Sequence, residues 1–296
     1  MRVLITGNRG FVGRHLQAAF EARGDQVVGC DIKAGYDCLD FFRFDHLGLE
    51  FRGPFDLAIH CAANVGGRAN IDGSPLAVAT NLALDSWFFQ WLKTSGTPRA
   101  VYYSSSAAYP TSLQYGDLAH RLNEDTPLRA HLADQTYGLV KVVGEQLAAE
   151  ARRSGIDVLV LRPFSGYGSD QDLDYPFPSL IRRALDRADP FEIWGDGLQT
   201  RDWIHIDDVV GATLAALGLG HSGPINLGTG VATTFNQLAS MICARVPGYR
   251  TEWRHLLDKP TGVQYRVADV SRLTQFYAPA VSLSEGIERA IEEGRR

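Results

Sequence analysis

The sequence predicts an α/β fold: a doubly wound parallel sheet with a smaller, discontinuous C-terminal part. Three observations lead there. Short apolar runs alternate with longer stretches of helical spacing from the N-terminus to about Pro163. Those runs lack an apolar/polar alternation, as expected of strands covered on both faces. A glycine-spaced turn, Gly7-Asn-Arg-Gly10-Phe-Val-Gly13, joins the first run to the first helical stretch.

In order, Arg2-Val-Leu-Ile-Thr-Gly7 reads as a buried strand and the stretch from Arg14 as a helix. Gln26-Val-Val-Gly-Cys30 is the second strand and ends at Asp31. Phe55 to Ala63 is a strand, and Pro75 to Lys93 a long helix that contains Asn81. Arg99 to Ser106 is a strand ending in three hydroxyls, Tyr137 to Arg153 a helix, and Asp157 to Arg162 another strand. In such a sheet Gly7, Asp31, Ala62 and Ser105 all fall at the carboxyl ends of strands, where ligands of this architecture bind.

Beyond Pro163 the pattern loosens into a Gly/Pro/Asp-rich loop from Gly166 to Pro178. The expected division is a dinucleotide-binding Rossmann domain over 1–165 and a second domain over 166–202 and 229–296. Residues 203–228, with helix Asp207–Leu217 and strand Pro224–Leu227, are expected to return to the first.

Composition narrows the function classes. The chain is 45% hydrophobic and 21% charged with a net charge of −5, so no basic field argues for nucleic acid. No apolar stretch reaches membrane-spanning length, and Met1 leads directly into a strand, so neither a membrane partner nor a signal peptide is expected. Cys30, Cys38, Cys61 and Cys243 lack metal or disulfide spacing and read as small buried groups in a reducing cytoplasm. The eight histidines form no HExxH or similar ligand set, so no metal is expected.

Two constellations carry chemistry. Gly7, Gly10 and Gly13 let backbone N–H groups approach a pyrophosphate at a helix N-terminus. Asp31, eighteen residues beyond Gly13, can accept from adenosine ribose hydroxyls and repel a 2′-phosphate. That points to NAD over NADP, although Arg9 and Lys33 stand close enough in sequence to soften the preference. Tyr137 and Lys141 lie four apart on one helix face, where the ammonium can lower the phenol pKa and make it a proton shuttle. The chain has only four lysines, yet this spacing by itself can arise by chance.

Together with His60-Cys-Ala-Ala63, Asn81, Ser104-Ser-Ser-Ala-Ala-Tyr109-Pro, Arg162-Pro-Phe-Ser-Gly-Tyr-Gly168, Gly195-Asp-Gly-x-x-x-Arg201-Asp202-Trp-Ile-His-Ile-Asp-Asp208 and Arg266-Val-Ala-Asp269, these motifs resemble the extended short-chain dehydrogenase/reductases. Within them the chain is similar to the NAD-dependent nucleotide-sugar epimerases and dehydratases, over nearly its whole length. The resemblance implies that Tyr137 takes a sugar hydroxyl proton, that Lys141 binds the nicotinamide ribose and that Asn81 helps to hold this arrangement. It implies Ser105 as the hydroxyl on the reacting oxygen, with Ser106 a rival in the same run. Cofactor contacts are implied for Gly7, Gly10, Phe11, Val12, Gly13, Asp31, Asp37, Cys38, Ala62, Ala63 and Pro163, with Asp37 and Cys38 at adenine.

For the second ligand, the resemblance implies Val65, Gly66, Ser105, Ser106, Tyr137 and Ser165 around a nucleotide-diphosphate sugar. Arg201 matches an arginine on the diphosphate, which a guanidinium fork suits. Lys259 stands where UDP-galactose 4-epimerase has a second arginine, and Arg266 could fill the same role. Arg68, on the Gly-rich loop, could meet a sugar carboxylate or phosphate or be a plain surface residue.

Departures separate the reactions. The 4,6-dehydratases resemble Thr-Asp-Glu where this chain has Ser105-Ser106-Ala107, and the decarboxylases carry Glu at Ala107. GDP-mannose 3,5-epimerase and GDP-fucose synthase, otherwise similar in the Val65-Gly-Gly-Arg68 loop, carry Cys there, and Ala moves no proton. Ser165 replaces the Asn common in UDP-galactose 4-epimerases, so the sugar or diphosphate would be held differently. The resemblance therefore implies an NAD-dependent nucleotide-sugar 4-epimerase. A 4-keto sugar reductase or unusual dehydratase is the same-fold alternative, and a non-catalytic cofactor-sensing member comes from a different class. It also implies a homodimer through the Asn81 and Tyr137 helices. Leu82, Leu84, Trp87, Phe88 and Trp91 put more apolar surface on the first of these than one face needs.

Overall fold

A computed structural model describes residues 1–44, 51, 53–65, 76–116 and 119–295. The first half runs β1 (Arg2–Thr6), α1 (Phe11–Ala22), β2 (Gln26–Cys30), α2 (Cys38–Phe44), β3 (Leu57–His60), α3 (Ala77–Thr94), β4 (Arg99–Tyr103), α4 (Gln135–Arg153) and β5 (Asp157–Pro163). The second half runs β6 (Ser165–Tyr167), α5 (Pro176–Leu185), β7 (Phe191–Trp194), β8 (Thr200–Arg201), β9 (Trp203–His205), α6 (Ile206–Gly218) and β10 (Gly223–Leu227). It ends with β11 (Thr233–Thr234), α7 (Phe235–Cys243), β12 (Trp253–Leu256), β13 (Tyr265–Arg266) and α8 (Leu283–Gly294).

A parallel sheet of order β10-β5-β4-β3-β1-β2 is the frame. Its order reverses between β1 and β3, which opens a crevice at the carboxyl ends of those strands. Alternate strand residues feed two separate cores. Val3, Ile5, Leu57, Ile59, Val101 and Leu159 pack with α1 and α6 on one face. Leu4, Val28, Ala58, Ala100, Tyr102 and Val160 pack with α2 and α3 on the other. With no wet face, the strands read as unbroken apolar runs. A third core joins Tyr167, Phe177, Phe191, Trp203, Leu238 and Ile287 among the later elements.

Several boundaries move. The first helix begins at Phe11, not Arg14, because Gly10 already serves as its N-cap. The strand expected to run to Ser106 ends at Tyr103, and the three serines lie beyond it. Ser105 instead caps a short 3₁₀ turn over Ser106–Ala108. Helix α2 was not expected; Asp37 starts it by accepting from the Leu39 N–H at 2.8 Å. On α3 the apolar surplus is smaller than the composition suggests. Leu84 and Phe88 are buried in the chain's own core and Trp91 packs against it, which leaves Trp87, 37% exposed, on the outer face. No helix among the described residues is long and apolar enough to cross a membrane. No group of three metal-ligating side chains occurs among them.

Candidate active site

The crevice is built first from the turn between β1 and α1. Gly7 has φ +69°, and a Cβ there would lie 2.7 Å from the Ala62 nitrogen. A Cβ on Gly13 would lie 2.1 Å from the Gly7 carbonyl oxygen, so only glycine lets α1 pack this closely on the strand. Gly10 offers α1 no side-chain cap and the first turn carries no acid, so the leading N–H groups are left for an anion. Phe11 and Val12 form that first turn and pack against the core.

Asp31 closes the far side. It is buried, its Oδ2 accepts from the Arg9 N–H at 2.9 Å and its Oδ1 from the Lys33 N–H at 2.8 Å. These bonds aim the carboxylate and leave acceptor capacity on both oxygens for ribose hydroxyls. The donors from residues 9 and 33 are backbone groups that orient the carboxylate. Asp37 is spent on capping α2, and the buried Cys38 thiol donates to the Cys30 carbonyl at 3.2 Å. Ala62, Ala63 and Pro163 are half-buried at the strand ends.

Asn81 is buried and clamps the loop after β3. Its Oδ1 accepts from the Asn64 N–H at 2.6 Å and its Nδ2 donates to the Asn64 carbonyl at 2.9 Å. Val65 follows, 46% exposed. Gly66 and Arg68 lie outside the described residues.

Helix α4 supplies the reactive pair. Tyr137 is half-buried and Lys141 buried, with Nζ 5.8 Å from the Tyr137 ring centre and donating to the Tyr103 carbonyl at 3.0 Å. The three hydroxyls that follow β4 have separate duties. Ser104 donates to Glu145 at 2.5 Å, and Ser106 is buried inside the 3₁₀ turn. Ser105 Oγ accepts from the Ala107 N–H at 3.1 Å and is the one left half-exposed. Beneath them Arg162 holds both Glu145 oxygens (2.8 and 2.6 Å) and donates to the Tyr109 hydroxyl (2.8 Å). Burial pushes the Tyr109 phenol up to about 12 against the pull of that guanidinium.

The more distant residues behave differently. Ser165 is half-buried, and its N–H donates to the Asp202 carbonyl at 2.9 Å. Arg201 donates to the carbonyls of Thr200, Val263 and Thr261 at 2.8, 2.8 and 2.9 Å, bracing the segment that follows Lys259. Lys259 is exposed on a turn. Arg266, the alternative to Lys259, is held by Asp134 (2.8 Å) and Gln114 (2.7 Å), an ion pair at the start of α4.

Two groups escaped the sequence reading. Tyr175, before α5, is close enough to Tyr137 for their charges to interact; burial chiefly, then Tyr137, Asp172 and Asp174, pushes its phenol up. Asp85, one turn after Asn81 on α3, is buried and accepts from Tyr102, whose ring centre lies 5.0 Å from Lys141 Nζ. Its i, i+4 relation to Asn81 was the available signal.

The chain is similar to several known proteins. A dTDP-4-dehydro-6-deoxy-D-allose reductase of Streptomyces bikiniensis is 30% identical, over 92% of this chain and 89% of that one. A UDP-glucose 4-epimerase of Mycolicibacterium smegmatis is 28% identical, over 99% and 98%. The solved structure of MoeE5 in complex with UDP-glucuronic acid and NAD superposes with a TM-score of 0.83 at 28% identity, covering 100% of this chain and 99% of that one. The pattern of the NAD dependent epimerase/dehydratase family matches residues 3–228. With that match, an uncapped α1 and the aimed Asp31 carboxylate, the cofactor is NAD and the chain belongs to the NAD-dependent epimerase/dehydratase family.

Proposed function

We propose that this enzyme is a nucleotide-sugar 4-epimerase, acting by reversible oxidation at C4 and return of hydrogen to the opposite face. The observation that carries the reading is the makeup of the site: Tyr137 and Lys141 stand together on α4, Ser105 caps the turn on which α4 packs, and Ala107 in that turn offers only backbone groups and a methyl. That apparatus moves one proton and holds one oxygen, and it has no acid/base group at Ala107 for water loss or for epimerisation at C3 or C5.

In this reading Tyr137 accepts the C4 hydroxyl proton and gives it back, Ser105 hydrogen-bonds the reacting oxygen, and the Lys141 ammonium stands beside the Tyr137 ring. NAD, when bound, supplies the hydride acceptor and donor. Gly7, Gly10, Phe11, Val12, Gly13, Asp31, Ala62, Ala63, Asn81 and Pro163 would hold it, with Asp37 and Cys38 near adenine. Arg201 and Lys259 would meet the diphosphate, and Val65, Ser106 and Ser165 would line the sugar side. Residues 1–165 with 203–228 would form the NAD-binding part, and 166–202 with 229–296 the sugar-nucleotide part.

A second reading, a 4-keto sugar reductase, is favoured by the 30% identity to the Streptomyces reductase. Incubation with UDP-glucose, UDP-galactose and dTDP-glucose, followed by NMR of the C4 configuration, separates the two. Interconversion without net consumption of NADH supports the epimerase. Turnover that needs a 4-keto sugar and one NADH per product would replace it with the reductase.

The same reading makes the enzyme a cytoplasmic homodimer. Its four free cysteines suit a reducing compartment. A groove of about 550 Å³ on the outer faces of α3 and α4, lined by Trp87, Phe89, Leu147, Ala151 and Ile156, suits the matching helices of a second copy.

A further inference from the structure

Asp85 has no part in the reaction just described, yet it is 1% exposed at the crossing of α3 and α4. An ionised carboxylate in such a place needs partners. The Tyr102 phenol donates to Oδ2, and His60 Nε2 lies 3.2 Å from Oδ1. The strand register makes this possible: Thr6 on β1 pairs with His60 on β3, and His60 with Tyr102 on β4, so the three form one row across the sheet. A carboxylate only accepts, so His60 Nε2 carries the ring proton, which leaves Nδ1 to accept from the Thr6 hydroxyl at 2.8 Å. Thr6 Oγ1 in turn accepts from the Ala62 N–H at 3.3 Å, at the cofactor edge.

Space for the carboxylate is made on the helix that carries Lys141. A Cβ on Gly144 would fall 1.9 Å from the Tyr102 hydroxyl oxygen and 2.8 Å from Asp85 Oδ2. Gly144 is three residues beyond Lys141, on the same side of α4. Lys141 is itself buried, with Nζ 5.0 Å from the Tyr102 ring centre. The other carboxylate nearby, Glu145 on α4, is taken by both arms of Arg162. Burial alone would raise the Asp85 carboxyl, but the Lys141 charge and the bonds from His60 and Tyr102 outweigh it and keep it ionised.

We infer that Asp85 is the buried counter-ion of Lys141, a positioning residue that keeps the ammonium charged beside Tyr137. Titratable groups facing this pair are His60 from β3, Cys61 just beyond it, Tyr102 from β4, and Tyr137 and Glu145 from α4. The inference rests on the Tyr137–Lys141 part of the proposed function, which is common to epimerase and reductase, and not on the choice between them. Without the Asp85 charge the buried ammonium would lose its balancing anion, and turnover on the basic side would fall.

The test compares kcat against pH for the wild type, Asp85→Asn and Tyr102→Phe, with UDP-galactose or a 4-keto sugar plus NADH. Asp85→Asn should move the basic limb to lower pH by about one unit or more, a tenfold change in proton concentration. Tyr102→Phe deletes a hydrogen bond but keeps the charge, so its limb should stay in place. An unmoved limb in Asp85→Asn, or equal movement in both variants, would overturn the assignment. A second arm needs neither substrate nor the single Asp85 variant. Lys141→Met strands the carboxylate, and Lys141→Met/Asp85→Asn removes both charges, so at pH 8 the double variant should melt higher than Lys141→Met by about 2 °C or more. Equal or lower melting of the double variant would also overturn it. Full turnover in Lys141→Met would instead sink the proton-shuttle reading itself.

Discussion

A methyl group on Gly138 would lie 2.3 Å from the carbonyl oxygen of Ala107. The Asp134 N–H donates to that same oxygen at 2.9 Å. Helix α4 is therefore seated directly on the turn that follows β4, which places the first turn of α4, with Tyr137, next to the turn that Ser105 caps. Both sides of the contact are backbone, so neither can swing away from an added atom.

Gly138→Ala should consequently act as an active-site variant although it touches no ligand. The start of α4 would have to shift, and misplacement of a reacting group by about 1 Å can cost on the order of 10²-fold in rate. Turnover should fall at least about tenfold while NAD affinity, set at the β1–α1 turn, changes little. Steady-state kinetics alongside calorimetric NAD titration check this, and an unimpaired variant would show that the contact yields.

Tyr137→Phe keeps the ring and removes the ionisable oxygen. Turnover should drop by a factor of about 10² or more with NAD binding nearly unchanged. Ser105→Ala should lose less, because it removes one hydrogen bond and leaves the shuttle in place. If Ser106→Ala proved the more damaging serine variant, the assignment within the serine run would reverse. Reactions run in D₂O add a mechanistic check: hydrogen that leaves and returns at C4 brings no solvent label, whereas label at C3 or C5 would mean a different epimerisation.

The parts of this site that sequence reading captures are those in which a few neighbouring residues set the geometry. The Gly7–Gly13 turn and the Tyr137/Lys141 pair are of this kind, because backbone sterics and helical spacing act over short range. The Thr6, His60, Tyr102 and Asp85 row is the opposite case. It depends on how three strands align in register, and no local pattern encodes that alignment. Helix α2 was missed because its aromatic run, Phe41 and Phe42, owes its conformation to packing on Phe88 and Trp91 of α3. For Arg201 and Arg266 the residue type is legible in the sequence but the partners are not: the fold brings the carbonyls of Val263 and Thr261 to the first and an aspartate to the second.

Asp31 makes a cofactor prediction. Its carboxylate is fixed by two backbone N–H groups, and in the proposed cofactor site it would face the 2′-phosphate that NADP adds. NAD should bind at least about tenfold more tightly, a difference of about 1.4 kcal/mol. Asp31→Ser should narrow the gap. Calorimetric titration of both cofactors is the measurement, and equal affinities in the wild type would contradict the role of the carboxylate.

Acid should weaken the fold before it reaches the carboxylates. His60 titrates below its ordinary value of 6.5, chiefly because burial disfavours its charged form, with Asp85 only partly offsetting that. His205 is lowered for the same leading reason. Below about pH 6.5 the unfolded chain takes up protons that the folded chain refuses, so stability rises with pH and is lost as pH falls through that value. Each fully mismatched histidine would cost up to about 1.4 kcal/mol per pH unit. Urea unfolding between pH 7.5 and 5.5 should show this decline, and a flat profile would contradict it.

Assembly can be tested at one residue. Trp87 is 37% exposed on the outer face of α3, at the edge of the groove shared with α4. Leu84 and Phe88 on the same helix are already consumed by the chain's own core, so Trp87 is the large apolar group left to anchor a partner. A tryptophan at the centre of a helix-to-helix contact commonly carries about 2 kcal/mol or more of the association energy. Replacing it with aspartate would also set two like charges close together across a two-fold axis. Light scattering at micromolar concentration should give a dimer for the wild type and a marked shift toward monomer for Trp87→Asp. Because the Gly7–Gly13 turn and Asp31 belong to β1, α1 and the end of β2 and not to α3 or α4, NAD affinity per chain should be little changed in that variant. A wild type that scatters as a monomer would refute the homodimer, and a Trp87→Asp dimer of unchanged strength would move the interface elsewhere.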